Sequence, residues 1–250
     1  GGRKVIAPGI AHAETISTLH NAHFIEHPKS TNCVLEGNQL HAELLEIVAL
    51  LGSVYAVNTV IDENRRMSFV NFGEVVTSHL EAVSVMRKYA EVRVPDEFPT
   101  VVTSCAGYPL DKTYYQTIKG MVGPLNILRA GGSLIIASEC SEGLGSEEYA
   151  EAQKQLVALG PDDFLTRLKS KSRAAIDEWQ AESLLKPMRR GNVELYAPGL
   201  SPEEAALTGV KVIESMDRAV SESVERSKEP RVAVVPEGPY VVPFVESATN

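Results

Sequence analysis

The first residues of the chain combine a glycine pair with a basic pair, in the order Gly1, Gly2, Arg3 and Lys4. Glycine has no side chain, so the backbone of such a loop approaches a ligand closely and delivers the lysine to it. We therefore predict a ligand-binding loop at these four residues. Because the chain begins with glycine instead of methionine, we also expect it to be part of a longer protein whose upstream residues share this site.

A histidine-rich stretch follows, with His12, His20, His23 and His27. On one helix, the spacing of the last three would place their imidazoles near one face, as in some zinc sites. Pro28 directly follows His27 and disfavours a long helix. No acidic residue stands at the position, relative to these histidines, that it occupies in a metalloprotease helix. On these grounds we expect ordinary hydrogen bonding from each histidine, and a three-histidine zinc site remains the less favoured alternative.

Two further polar residues, Gln116 and Lys119, lie on a helix that we predict from Asp111, as its cap, to about Arg129. The preceding turn joins this helix to a strand end, where parallel α/β sheets bind ligands. Gln116 and Lys119 share one helix face, so the lysine is suited to hold a carboxylate or oxyanion that the glutamine orients. From these residues alone, a surface-exposed amphipathic helix is the favoured interpretation, and the binding role is the alternative.

Trp179 is the single tryptophan of the chain and lies among polar residues of another predicted helix. A lone tryptophan is more often a core or interface anchor than the wall of a substrate pocket. The loop at residues 139–145 follows the next strand and is expected to line the same sheet edge as the turn before Gln116. Its glycines lack the dinucleotide-binding spacing.

The elements that must position these residues divide into two predicted domains and a final segment. Residues 1–87 are assigned to part of an α+β first domain, truncated at its N-terminus, with a helix capped by Asn38. Residues 88–228 alternate strands with helices, which predicts a doubly wound, Rossmann-like α/β second domain. Residues 229–250 are expected to return to the first domain. The predicted helices cover residues 38–51, 74–89, 111–129, 146–158, 161–169, 174–188 and 202–226, and the predicted strands cover 53–61, 67–72, 92–94, 100–103, 133–137, 193–196 and 231–235.

Composition limits the classes of partner. The net charge of −9 and the lack of a basic stripe in the sequence argue against a nucleic-acid partner. No apolar run approaches the roughly 18 residues of a membrane span, and no signal peptide is visible, so we expect a cytoplasmic protein without a membrane partner. Cys33, Cys105 and Cys140 have neither paired nor metal-ligand spacing and are expected to be free thiols.

Several stretches together resemble the nickel-pincer lactate racemase family, and the resemblance covers nearly the whole chain. They are GGRKVIAPGI with His20 sixteen residues after Lys4, then HPKSTNCVLEGNQLH, SCAGYPLDKTYYQTIKGM, ASECSEGLG and, near the end, PEGPYVVPF. The resemblance implies two domains around a cleft that holds a nickel-bearing pyridinium mononucleotide. It implies that Lys4, in the loop with Gly1, Gly2 and Arg3, is joined to this cofactor through a thioamide. His20 is implied as the protein ligand of nickel, in a square-planar geometry that nickel(II) favours.

For the second domain, the resemblance implies that Gln116 and Lys119 bind the substrate and that Trp179 forms an aromatic wall. The implied reaction is racemisation or epimerisation of a 2-hydroxy carboxylic acid such as lactate, by reversible hydride transfer to the cofactor. Hydride removal suits this substrate because the C2 hydrogen beside a carboxylate is barely acidic. The family's two catalytic histidines lie upstream of the corresponding glycine loop and are expected outside this chain.

The implied partners are a small 2-hydroxy acid and the proteins that mature the cofactor. Two other interpretations stay open at this point. One keeps the reaction but assigns a longer 2-hydroxy acid as the substrate. The other is a non-catalytic α/β ligand-binding module that retains only the fold.

Overall fold

The computed structural model describes residues 2–62 and 64–246, and their contacts form two compact units. Unit 1 comprises residues 2–90 and 169–174, and unit 2 comprises residues 91–168 and 175–246. Residues 169–174 belong to unit 1 because they contact it: Asn21 donates a hydrogen bond to the Ser172 carbonyl oxygen at 2.9 Å. None of the helices in the described ranges combines the length and the apolar character that a membrane crossing requires.

Unit 1 contains a small helical cluster followed by a hairpin and a helix. Its elements are α1 (Arg3–Ile6), α2 (Ala13–Leu19), α3 (Ala22–Ile25), α4 (Gln39–Ala49), β1 (Tyr55–Ile61), β2 (Met67–Glu74) and α5 (Val75–Ala90). Asn38 caps α4 by accepting a hydrogen bond from the His41 backbone N–H, which confirms the predicted start of this helix. Ala7, Leu19 and Leu44 form a buried apolar cluster. This cluster fixes the position of α1 and α2 relative to α4.

Unit 2 is built on a parallel sheet. Its elements are β3 (Glu91–Val94), β4 (Phe98–Ser104), α6 (Tyr114–Val122), a 3₁₀ helix (Gly123–Ile127), β5 (Leu128–Ala137), α7 (Glu147–Leu159), α8 (Pro161–Lys169), α9 (Glu178–Arg190), β6 (Asn192–Tyr196), α10 (Pro202–Ala205), β7 (Lys211–Val212), α11 (Met216–Ser227), β8 (Val232–Val235) and β9 (Val242–Val245). Five strands form one parallel sheet in the order β7-β6-β5-β4-β8, and β3 pairs with β9 in a separate two-stranded parallel sheet.

Helices cover both faces of the five-stranded sheet, which confirms the predicted doubly wound α/β fold. Successive residues of β5 show this. Ile135 packs with Ile213 and with Ala219 of α11. On the other face, Ile136 lies against Gly120 of α6, where an added β-carbon would be 3.1 Å from the Ile136 side chain. Side chains of a strand alternate between faces, so consecutive isoleucines meet opposite helix layers.

The helix that carries Gln116 differs from the prediction at both ends. Thr113, not Asp111, is its cap, and the Thr113 side chain accepts from the Gln116 backbone N–H. The helix ends at Val122 instead of about residue 129, because the chain tightens into a 3₁₀ helix with Pro124 in its first turn. β5 consequently begins at Leu128, before the predicted strand start at residue 133.

The predicted long helix at 202–226 is also wrong. It is divided into α10, β7 and α11, and Gly209 between them has a φ of +71° that a continuing helix excludes. The buried Tyr114 hydroxyl donates to the Thr208 carbonyl oxygen at 2.7 Å and fixes this connection. Residues 229–246 were predicted to return to the first domain, but they belong to unit 2. Their strand β8 pairs with β4 in the five-stranded sheet of that unit.

Candidate functional site

Lys4 is exposed on α1, two residues after a glycine that the fold requires. Gly2 caps this helical turn with a φ of +52°, and a β-carbon there would lie 2.6 Å from Cβ of His79. Any other residue would therefore be strained and would collide with α5. Gly1 lies outside the described residues. The glycine requirement at position 2 thus has a packing cause within unit 1, in addition to the predicted approach of a ligand.

Arg3, the other predicted cofactor-binding residue of this loop, is directed to α4. Its Nε donates a hydrogen bond to Nδ1 of His41 at 2.7 Å. Burial lowers the pKa of Arg3, and partial burial together with the Arg3 charge lowers the pKa of His41. The pair therefore consists of a cation and a neutral imidazole, and it holds the start of α1 against α4.

His20 is held in one tautomer at the end of α2. It caps the C-terminus of α2, and its Nδ1 lies 2.8 Å from the Ile16 carbonyl oxygen. A carbonyl oxygen only accepts, so Nδ1 carries the proton and Nε2 carries the lone pair. Burial lowers the pKa of His20; the bond to Ile16 raises it, and the charge of Lys4 lowers it again. The structure therefore brings the predicted nickel ligand within electrostatic range of the predicted cofactor lysine.

The histidines do not share a helix face. α2 ends at Leu19, and a new helix containing His23 begins after the Asn21 cap. His23 is exposed, and His27 lies beyond the end of α3 and accepts from the Lys29 backbone N–H at 3.2 Å. Across the part of the chain that is described, no group of three or more histidine, cysteine or acidic residues could hold a metal ion. The predicted alternative of a three-histidine zinc site is therefore wrong for these residues. The finding does not bear on a metal site that uses a single histidine as its protein ligand.

Acidification from about pH 7 to about pH 5 is expected to destabilise unit 1 through His79. Burial and the charge of Arg3 lower the pKa of His79 from its ordinary 6.5 to about 4. The unfolded chain therefore takes up this proton at a higher pH than the folded one, so the stabilisation is complete above pH 6.5 and is lost as the pH falls toward 4. Urea denaturation at both pH values measures the loss, which should be smaller in His79→Gln. An equal loss in both proteins would contradict this role of His79.

In unit 2, Gln116 and Lys119 lie on one face of α6, as predicted. The Lys119 ammonium donates to Oε1 of Gln116 at 2.6 Å, and Lys119 is exposed. Its Nζ also lies 6.0 Å from the centre of the Tyr115 ring, within the range of a cation–π contact. The arrangement presents a positive charge next to an amide, which suits recognition of a carboxylate.

A cleft of about 380 Å³ at the carboxyl edge of the sheet is lined by Gln116 but not by Lys119. Its lining residues are polar or small, namely Thr113, Tyr115, Gln116, Glu142, Gly145, Ser146 and Asp177. The loop at 139–145 lies at the same edge, as predicted, because the Gly143 and Leu144 carbonyl oxygens accept from the backbone N–H groups of Tyr114 and Tyr115. The start of α6 is thus fixed by the neighbouring loop.

Trp179 is half-buried on α9, and its Nε1 donates to the Tyr115 hydroxyl at 3.2 Å. Tyr115 therefore links Trp179 with the helix that carries Gln116 and Lys119. Neither Tyr115 nor Asp177 was predicted from the sequence. The only signal for Tyr115 was its position next to Gln116, and nothing local to Asp177 marked it.

The buried cysteines of unit 2 are unreactive thiols. Burial raises the pKa of Cys105 to about 12 and also raises the pKa of Cys140. Cys33, Cys105 and Cys140 are all thiols that form no disulfide within the described residues, as predicted. Since the thiolate is the nucleophilic form, neither Cys105 nor Cys140 is suited to covalent catalysis.

Comparison with known proteins agrees with these features. Residues 95–242 match the family model described as the lactate racemase C-terminal domain. Curated relatives named lactate racemase, from Thermoanaerobacterium thermosaccharolyticum and Lactiplantibacillus plantarum, are 28% and 24% identical to the chain. Each match covers 97% of this chain and 57% of the relative. The chain therefore spans little more than half the length of these relatives.

Two solved structures are similar to the chain. The lactate racemase apoprotein from Thermoanaerobacterium thermosaccharolyticum has a TM-score of 0.89 at 26% identity, over 99% of this chain and 59% of that chain. A Thermotoga maritima protein has a TM-score of 0.64 at 12% identity, over 98% of this chain and 63% of that chain, which is a likeness of fold alone. Because the family model covers more than half of the chain, the chain belongs to the lactate racemase family and contains its C-terminal domain.

Proposed function

We propose that the complete protein racemises or epimerises a small 2-hydroxy carboxylic acid, lactate or a relative of it. The observation that carries this proposal is the Lys119–Gln116 pair, joined at 2.6 Å within the domain that matches the family. A cation beside an amide at the carboxyl edge of a parallel sheet is suited to bind a carboxylate with a neighbouring hydroxyl.

We propose a nickel-pincer nucleotide as the cofactor, and the residues of unit 1 fit it. His20 is held as the Nδ1–H tautomer by the Ile16 carbonyl oxygen, and burial favours its neutral form, which a metal ligand requires. Lys4 is exposed and near enough for its charge to lower the pKa of His20, and a covalent anchor beside that metal would require this proximity. When bound, the group supplies a reversible acceptor for the hydride at C2 of the substrate.

The residues of unit 2 would bind and orient the substrate. The Lys119 ammonium would neutralise negative charge on the substrate oxygens. Since Oε1 of Gln116 accepts from Lys119, the Nε2 amide hydrogens of Gln116 are the groups suited to donate to a substrate oxygen. The half-buried Trp179 would shield this contact from water, which strengthens it. We propose that the group accepting the hydroxyl proton belongs to the part by which the relatives exceed this chain.

The proposal is tested on the complete protein, produced together with the proteins that mature the cofactor. Incubation with one pure enantiomer of lactate, and separately of longer 2-hydroxy acids, should yield the opposite enantiomer by chiral chromatography. The acid that reacts fastest identifies the substrate class. Nickel-loaded protein that binds these acids without interconverting any of them would show a binding module instead of an enzyme.

The mature complete protein is expected to carry a covalent adduct on Lys4. The reason is the position of this lysine on α1, exposed and within electrostatic range of His20. Intact-mass spectrometry should show the added mass, and peptide mapping should place it on Lys4. The exposed Lys29 provides the matched control, because Lys29→Ala should keep the adduct that Lys4→Ala loses. An adduct that persists in Lys4→Ala would exclude this attachment point.

A further inference from the structure

Tyr115 interacts with Trp179 and with Lys119, two of the residues of unit 2 that we propose to bind the substrate. Its hydroxyl accepts from Nε1 of Trp179 at 3.2 Å, and its ring centre lies 6.0 Å from Nζ of Lys119. Trp179 belongs to α9, whereas Lys119 belongs to α6. One side chain therefore sets the positions of two groups that come from different helices.

Tyr115 is itself held at its ring and at its backbone. The Tyr149 ring packs edge-on against its ring, with 5.1 Å between the centres. The Tyr115 carbonyl oxygen accepts from Nε2 of Gln180 at 2.8 Å, and its backbone N–H donates to the Leu144 carbonyl oxygen at 3.0 Å. A side chain fixed in this way has one orientation available, so it can determine the orientation of its neighbours.

Asp177, the residue before α9, is one of the charged groups that act on the Tyr115 hydroxyl. Burial raises the pKa of Tyr115; the bond from Trp179 lowers it, and the Asp177 carboxylate raises it. The phenol thus keeps its proton, and its oxygen accepts the hydrogen bond from Trp179. Asp177 also accepts from Oγ of Ser146 at 2.6 Å and adopts a left-handed φ of 60°, a conformation that non-glycine residues keep only where the surroundings impose it.

We propose that Tyr115 is a positioning residue that orients Trp179 and Lys119 toward the substrate. The identity of that substrate rests on the proposed function, whereas the contacts of Tyr115 do not depend on it. The hydroxyl fixes the indole of Trp179 through a directional hydrogen bond, and the ring face provides a site for the Lys119 ammonium. Displaced binding groups hold the substrate less well, so the effect of losing this hydroxyl is measurable in kcat/KM.

The test is Tyr115→Phe in the complete protein, since this change removes the hydroxyl and keeps the ring. Trp179 is the only tryptophan of this chain, and any tryptophan in the remainder of the protein is replaced by phenylalanine so that the fluorescence reports Trp179 alone. We expect a shift of the emission maximum and stronger acrylamide quenching, because the indole N–H loses its hydrogen bond to the Tyr115 hydroxyl. We expect little change in the melting temperature, since the ring packing against Tyr149 remains.

The neighbouring Tyr114 supplies the matched control. Its hydroxyl is buried and donates to the Thr208 carbonyl oxygen at 2.7 Å, without an assigned role at the substrate. Tyr114→Phe should lower the melting temperature and leave the Trp179 emission and quenching unchanged. The two variants should therefore show opposite patterns of stability and fluorescence.

Kinetics provide the second readout. In Tyr115→Phe, kcat/KM should fall about tenfold with a clear rise in KM, because displaced groups bind the substrate less well. Unchanged Trp179 fluorescence, or a fall in kcat with KM unchanged, would overturn the positioning role. If the parent protein interconverts no 2-hydroxy acid, the proposed function fails, and the fluorescence alone then decides whether Tyr115 positions Trp179.

Discussion

The His20→Ala variant of the complete protein is expected to lose its tightly bound nickel, while His23→Ala keeps it. His20 is partly buried and fixed as the Nδ1–H tautomer, with the Nε2 lone pair as the donor to a metal. His23 is exposed on α3, with its ring packed edge-on against Phe24. Because loss of a residue that merely orients a ligand lowers metal affinity about 10–100-fold, loss of the ligand itself should lower it at least as far.

Nickel per protein, measured by plasma mass spectrometry after gel filtration, provides the readout. The two variants are matched, since each replaces one histidine of the same helical region by alanine. Circular dichroism should show that both retain the helices of the parent. Equal loss of nickel from both variants would mean that His20 is not the specific ligand.

Local sequence patterns were sufficient for the elements whose hydrophobic pattern and end signals agree. The helix at α4 has an Asn38 cap and a Gly52 stop, and the β1–β2 hairpin has a β-branched run, a turn and a run that contains Phe69, Val70 and Phe72. In these elements the local preference and the tertiary packing select the same structure. The buried strand at 133–137 was likewise identified, although β5 extends further toward its N-terminus.

The incorrect predictions lie where contacts distant in sequence decide the structure. Asp111 and Thr113 are both good helix caps, but the Asp111 carbonyl oxygen accepts from the Cys140 backbone N–H at 2.7 Å, which holds Asp111 in the loop. The division of the predicted helix at 202–226 depends on the bond from Tyr114, which is 94 residues away from Thr208. A single sequence contains no local signal for either contact.

The candidate site shows the same limit. The i, i+3 spacing was enough to pair Gln116 with Lys119, because that contact lies within one helix. The contact between Tyr115 and Trp179 joins residues 64 positions apart on two helices, so periodicity could not reveal it. The roles of Lys4 and His20 came from the family resemblance, and the structure adds the tautomer and the lowered pKa of His20.

Replacement of Lys119 by alanine is expected to reduce turnover far more than it reduces stability. If the ammonium stabilises negative charge on the substrate oxygens, its loss should raise the activation free energy by about 2–4 kcal/mol, as for other lost oxyanion donors. The side chain is exposed, so its removal should change the free energy of unfolding by no more than about 0.5 kcal/mol. Racemisation rates and urea denaturation of the same preparations measure the two quantities.

Two further variants separate the position of the charge from its mere presence. Lys119→Arg keeps a positive charge on α6 and should recover part of the lost turnover, although the guanidinium does not reproduce the compact ammonium. Lys154→Ala removes an exposed lysine of α7 that pairs with Glu151 at 3.9 Å, and it should retain the parent rate. If Lys119→Ala and Lys154→Ala lowered turnover equally, the effect would reflect the overall charge of unit 2, and Lys119 would have no specific role at the substrate. A loss confined to Lys119, with the fold intact, requires that its ammonium act on the substrate itself.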